Sequence, residues 1–187
     1  RILAQHQSLP LTTAPEVSIA PPPRDVLASY RARYAGFFGR ALEGLTIGVY
    51  QHSSVGRDVI CDVLAALGAT PVALGRSDVF IPVDTEALRP EDEELARRWS
   101  GERKLDAIVS TDGDADRPLV ADETGHFLRG DLIGALTAQF LGADAIVTPV
   151  TSNSALDRPG LFETVVRTRV GSPYVIAGME AATEPPV

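Results

Sequence analysis

The sequence predicts an α/β fold, with helices layered on a largely parallel or mixed sheet. Three observations carry this. Short apolar runs at 45–50, 71–74, 106–110 and 119–121 alternate with stretches of helical spacing. Helix start and stop residues bracket those stretches. After Gly130 the rhythm restarts, but only two strands and about two helices follow before Val187. That second unit is too small to cover a sheet on both faces, so a fragment, or a segment leaning on the first domain, is expected.

Residues 1–24 read as a linker or the end of a preceding domain, because Pro10, Pro15 and Pro21-Pro22-Pro23 interrupt any pattern. Asp25 can cap a helix with Val26, Leu27, Tyr30, Tyr34, Phe37 and Phe38 on one face as a packing stripe, closed by Gly39. Leu45 to Tyr50 is a strand. Ser53 or Ser54 can cap the next helix, which carries Val55, Val59, Ile60, Val63, Leu64 and Leu67 and stops at Gly68. His52-Ser53-Ser54-Val55-Gly56 could also bind an anion there, although capping is the simpler role.

Pro71 to Leu74 is a short strand, and Pro90 opens another helix where its missing N–H is harmless. Glu91, Asp92, Glu93 and Glu94 at the start, and Arg103 and Lys104 at the end, suit the helix dipole. Leu95 and Trp99 read as helix core. Asp106 to Ser110 and Leu119 to Ala121 are strands, followed by a turn at Glu123-Thr124-Gly125. In the second unit, Leu132, Ile133, Leu136, Phe140 and Leu141 define an amphipathic helix. Ala145 to Val150 and Thr164 to Val166 are strands, and a further helix is expected near Ser172.

The chain has 187 residues, with 44% hydrophobic and 22% charged side chains, which excludes wholesale disorder. Its net charge of -8 argues against nucleic acid, which requires a basic face. A phosphorylated ligand would have to be held by a few placed cations or a metal. Cys61 is the sole cysteine, so no internal disulfide can form. No apolar run approaches the ~20 residues that span a membrane. No basic start leads into an apolar stretch, so a reducing cytoplasm is the expected location.

Chemistry concentrates at Thr111-Asp112-Gly113-Asp114-Ala115-Asp116-Arg117-Pro118. Small spacers let the backbone curl so that three carboxylates face one point. Such a cluster repels itself unless a cation is present. Hard oxygen ligands suit Mg²⁺, Mn²⁺ or Ca²⁺ and not zinc. The loop leaves the carboxyl end of a buried strand, where open α/β sheets place ligands. Arg117 adds a fixed cation matched to a phosphate oxygen pair. A plain polar turn is the bland alternative. A helix–loop–helix calcium site is another, with Asp112, Asp114, Asp116 and Glu123 at ligand positions, but Arg117 stands where that loop needs glycine.

Asp112-Gly113-Asp114-Ala115-Asp116-Arg117 resembles the metal loop of the α-D-phosphohexomutases, the phosphomannomutase and phosphoglucomutase family. Ile108-Val109-Ser110, Val120-Ala121-Asp122-Glu123-Thr124-Gly125, Gly130-Asp131 and Val150-Thr151-Ser152-Asn153-Ser154 agree with that likeness. Arg167-Thr168-Arg169-Val170-Gly171-Ser172-Pro173-Tyr174 resembles the family's sugar-contacting loop. The likeness covers roughly residues 25–180.

The resemblance implies a three-layer α/β/α sandwich with a mixed sheet over 25–128, the family's second domain. It implies the first part of the third domain over 129–187, and the end of the first domain before residue 25. It further implies Mg²⁺ held by Asp112, Asp114 and Asp116, a catalytic and substrate-binding Arg117, and substrate contacts from Val170, Gly171 and Ser172. The implied substrate is a hexose phosphate, and the implied partners are the remaining mutase domains. The family's serine nucleophile lies in a Thr-Ala-Ser-His-Asn-Pro type loop that is not found here, so no mutase turnover is expected from this chain alone. A non-catalytic metal-binding or regulatory module of the same fold is the alternative. Ser152, Ser154 and Ser172 lack a nearby base motif and are not assigned as nucleophiles.

Overall fold

The computed structural model describes residues 26–158 and 160–183. The linker expected over 1–24 and the Asp25 cap lie outside them. Twelve residues of helix, α1 (Leu27–Phe38), come first, and Gly39 ends them with a φ of 57°. Then follow β1 (Thr46–Tyr50), α2 (Arg57–Ala66), β2 (Thr70–Leu74), α3 (Pro90–Arg103), β3 (Ala107–Thr111) and β4 (Pro118–Ala121). The second unit comprises α4 (Gly130–Phe140), β5 (Ala145–Pro149), a short 3-10 turn (Ser154–Asp157), β6 (Thr164–Thr168) and α5 (Ser172–Thr183).

The first sheet runs β2-β1-β3-β4. β1 pairs in parallel with both β2 and β3, while β3 pairs antiparallel with β4, so the sheet is mixed. Alternate residues face opposite sides of a strand. Tyr50, Leu74, Ile108 and Leu119 therefore join Ala96 and Trp99 of α3 in one core. Ile47 and Val49 meet Leu64 of α2 and Ala69 in another. α3 against one face and α2 against the other give the three layers that the resemblance implied. β5 and β6 pair with each other in parallel and form a separate two-stranded sheet.

Two local expectations are corrected. Neither Ser53 nor Ser54 caps α2: the capping residue is Gly56, which has no side chain to bond the first turn. Ser54 Oγ instead accepts from the Gly56 N–H at 3.2 Å, and Ser53 Oγ accepts from Ile81 N at 2.8 Å. These serines serve the loop before the helix, so backbone groups alone end α2. The aromatic stripe of α1 does not enter a core, and no α1 residue is buried. Its rings contact one another and Phe140, with Tyr30–Tyr34 centroids 4.9 Å apart and Phe38–Phe140 6.0 Å apart. Arg31 ties α1 to Asp62 of α2 by an ion pair.

The acidic first turn and basic end expected of α3 are present, and Asp92 does more than complement a dipole. Asp92 is fully buried. It accepts a two-pronged bond from Arg89, at 2.7 and 2.8 Å, and one from Tyr50 Oη at 2.9 Å. A buried carboxylate persists only with such partners. This pins α3 to the end of β1.

The hairpin after β4 is bonded through Asp122, whose Oδ1 accepts from Thr124 N at 2.9 Å and His126 N at 3.0 Å. Phe127 bridges back to Ala121, and Leu128 N donates to Val120 O at 2.8 Å. Gly125 has a φ of 80°, and a Cβ there would lie 2.5 Å from the Ala96 backbone of α3. Gly125→Ala is therefore expected to cost roughly 3 kcal/mol, from left-handed strain plus overpacking, read as a lowered urea midpoint.

Candidate metal centre

Thr111 ends β3, and Asp112 follows at the carboxyl end of that strand. The acidic loop then turns back into β4. Asp112 is buried, whereas Asp114 and Asp116 are exposed. Asp112 is held rigidly. Its Oδ1 accepts from Asp116 N at 3.2 Å and Arg117 N at 3.3 Å, and its Oδ2 accepts from Arg117 Nε at 2.7 Å. Ala115, with a φ of 66°, makes the left-handed turn that closes the loop. Gly56 makes room for it, because a Cβ on Gly56 would lie 2.8 Å from the Ala115 Cβ.

Asp112, Asp114 and Asp116 each offer an oxygen within 4.8 Å of those of the other two. Repulsion from Asp114 leads the causes that push the Asp116 carboxyl above its ordinary pKa. Burial pushes Asp112 up, but the Arg117 backbone N–H, side-chain bond and charge outweigh it and hold Asp112 low. An all-oxygen donor set under mutual repulsion fits a hard divalent cation, which would relieve that repulsion. The helix–loop–helix calcium alternative fails, because strands flank the loop on both sides.

The Arg117 guanidinium is half-exposed and also lies 3.6 Å from Glu86 and 3.5 Å from Asp116. Arg117 therefore sits among acids and spends one nitrogen on Asp112. It lines one wall of a cleft of about 840 Å³ between the two units. Val170, Gly171 and Ser172 line the other wall, at the start of α5, with Arg129 and Asp131 between. The structure thus brings Arg117 and the Val170-Gly171-Ser172 turn to one cleft. The three aspartates do not line it and sit beyond Arg117 on the loop.

Sequence reasoning missed the supports of this loop. The buried His52 ring lies with Nε2 2.8 Å from Thr111 O. Ser54 Oγ is 2.7 Å from Thr111 Oγ1, and Val55 N donates to Gly113 O at 3.0 Å. The His-Ser-Ser run after β1 was the available signal. Asp131 was a missed anchor too. It accepts from Asn153 N at 2.8 Å and from Arg129 at 3.1 Å, tying α4 to the turn after β5.

No family model matches the chain. It is 53% identical over 154 residues to a phosphomannomutase of Sinorhizobium fredii, covering 82% of this chain and 32% of that protein. It is 49% identical to a phosphomannomutase of Salmonella muenchen, covering 80% and 31%. The chain belongs to the phosphohexomutase family. A phosphoglucosamine mutase of Afipia carboxidovorans is 35% identical, covering 75% of this chain and 33% of that one. The chain spans about a third of the length of these curated family relatives.

Its fold is that of a Burkholderia thailandensis protein of the phosphoglucomutase/phosphomannomutase family, with a TM-score of 0.69 and 19% identity. That likeness covers 86% of this chain and 37% of the Burkholderia one. Among the described residues, no helix of this phosphohexomutase chain is long and apolar enough to cross a membrane.

Burial acts to raise the Asp131 carboxyl, but Arg129 and the Asn153 and Leu132 N–H groups hold it below the ordinary value. A depressed folded pKa gives stability that is complete above the unfolded value of about 3.9 and is lost as pH falls through the folded one. Asp131→Asn is expected to cost about 1–2 kcal/mol near neutrality and to flatten that acid-side loss. Denaturant unfolding measured across the acid range checks both.

Proposed function

We propose that this chain carries the metal-binding part of a phosphohexomutase that moves phosphate between positions of a hexose phosphate. One observation carries the reading: three aspartate oxygens within 4.8 Å, at the carboxyl end of β3. They stand beside an arginine that lines a cleft. Residues 25–128 would form the metal-loop domain and 129–187 the first part of the next. Support for a larger enzyme comes from the relatives, each about three times longer than the stretch that this chain matches.

In this reading Asp112, Asp114 and Asp116 hold Mg²⁺. When bound, the ion would offset negative charge on a transferring phosphoryl group. Asp112 is the pre-set ligand, since Arg117 and two backbone N–H groups already aim it. Arg117 is the proposed catalytic cation. Its Nε is held by Asp112, which leaves its outer nitrogens to meet phosphate oxygens in place of the exposed Glu86. Val170, Gly171 and Ser172 would contact the sugar phosphate from the opposite wall, where backbone N–H groups at the start of α5 suit an anion. The nucleophile is assigned to a phosphoserine of a domain outside these residues. The free Cys61 thiol suits a reducing cytoplasm.

Titration of the chain with Mg²⁺ or Mn²⁺ tests the site. Wild type should bind one ion, and Asp114→Asn should bind at least about tenfold more weakly, because one charged oxygen ligand is lost. Equal binding by the two proteins would defeat the assignment. In an enzyme that joins these residues to the serine-bearing domain, Asp114→Asn should lower hexose phosphate turnover by about a hundredfold, the scale set by losing one preorganised electrostatic group.

A further inference from the structure

His52 is fully enclosed. Its ring meets Tyr50 at 5.1 Å between centroids and 61° between planes. Nε2 lies 2.8 Å from the Thr111 carbonyl oxygen. A carbonyl only accepts, so Nε2 is the donor in this bond. Nδ1 is buried and has no hydrogen-bond partner among the described residues. The His52 backbone has a φ of 27°, a conformation that residues with side chains rarely adopt.

An orphaned buried nitrogen and a left-handed backbone both oppose folding. They are retained at a residue whose one side-chain hydrogen bond reaches the carbonyl just before Asp112. The His52 carbonyl is itself fixed by Ser77 N at 2.9 Å and Arg57 Nη1 at 3.2 Å. The ring is therefore anchored from behind while it holds the end of β3. Ser54 grips the same residue through its side chain, with Oγ 2.7 Å from Thr111 Oγ1.

We infer that His52 is a positioning residue for the metal centre: its Nε2–H fixes the Thr111 carbonyl and so the direction in which Asp112 presents its carboxylate. This rests on the metal reading above. A histidine that merely filled space between Tyr50 and the sheet would need neither the strained backbone nor the bond to Thr111.

Mn²⁺ affinity of the full chain, read by electron paramagnetic resonance of the free ion, separates these roles. His52→Asn keeps a residue that tolerates left-handed backbone but is too short to reach Thr111 O. His52→Gln restores a reaching N–H with a less tolerant backbone. Loss of a group that orients a metal ligand typically weakens affinity about ten- to a hundredfold, and that is expected for His52→Asn. His52→Gln is expected to stay within about threefold of wild type, since its amide replaces the lost donor.

Leu64→Ala lowers thermal stability from the other core and should leave affinity unchanged. The inference is overturned if His52→Asn binds as wild type does, if folded His52→Gln loses as much as the Asn variant is expected to, or if Leu64→Ala loses as much. Should the Asn variant not fold, the Gln protein decides. No Mn²⁺ binding by wild type would sink the metal reading itself, and this inference with it. Binding by wild type and by His52→Asn alike would sink this inference alone.

Discussion

Everything at the carboxyl end of the first sheet is organised around the contact between Asp112 and Arg117. The carboxylate is buried, and a buried charge must be fully bonded. Arg117 supplies a side-chain bond at 2.7 Å and a backbone N–H at 3.3 Å from five residues away. That span fixes the loop's length. It forces one left-handed turn, at Ala115, and delivers the chain into β4 in the right register opposite β3. Asp114 and Asp116 are then left outside and close together, with Arg117, 3.5 Å from Asp116, only partly offsetting their charge. The same contact that satisfies one acid thus creates the electrostatic tension at the other two.

A second buried carboxylate plays the corresponding part for the framework. Asp92 binds Arg89 and Tyr50 and locks α3 against β1. Tyr50 touches both Trp99 in the core and His52, with centroids 5.2 and 5.1 Å apart. The end of β1 therefore links the packing of α3 to the residues that grip Thr111. The fold and the loop share this junction, and neither is built independently of the other.

Local pattern made much of this legible. The alternation of strands and helices follows from periodicity, and three acids within five residues mark the loop without any tertiary information. The Gly171–Ser172 turn was visible because a helix start follows a strand. What stayed hidden depends on partners distant in sequence. The bond from His52 to Thr111 crosses 59 positions, and that from Tyr50 to Asp92 crosses 42. From sequence, Ser53 and Ser54 look like caps and Asp92 looks like one more acid in a first turn. Only the meeting of β1, β3 and α3 separates these residues from their neighbours. The aromatic face of α1 shows the opposite limit. Its spacing is that of a buried stripe, yet in the described residues its rings meet mainly one another and Phe140.

The hairpin after β4 has a further bearing, on how the molecule meets copies of itself. The outer strand of a sheet normally offers a row of free amide and carbonyl groups to any passing chain. On β4 two of these positions are already engaged, because Phe127 bridges to Ala121 and Leu128 donates to Val120. Gly125 seats that returning segment against α3 so closely that it cannot peel away without giving up helix contact. Over Val120 and Ala121 the outer margin of the sheet is thereby occupied, so an invading strand would first have to displace the molecule's own hairpin there.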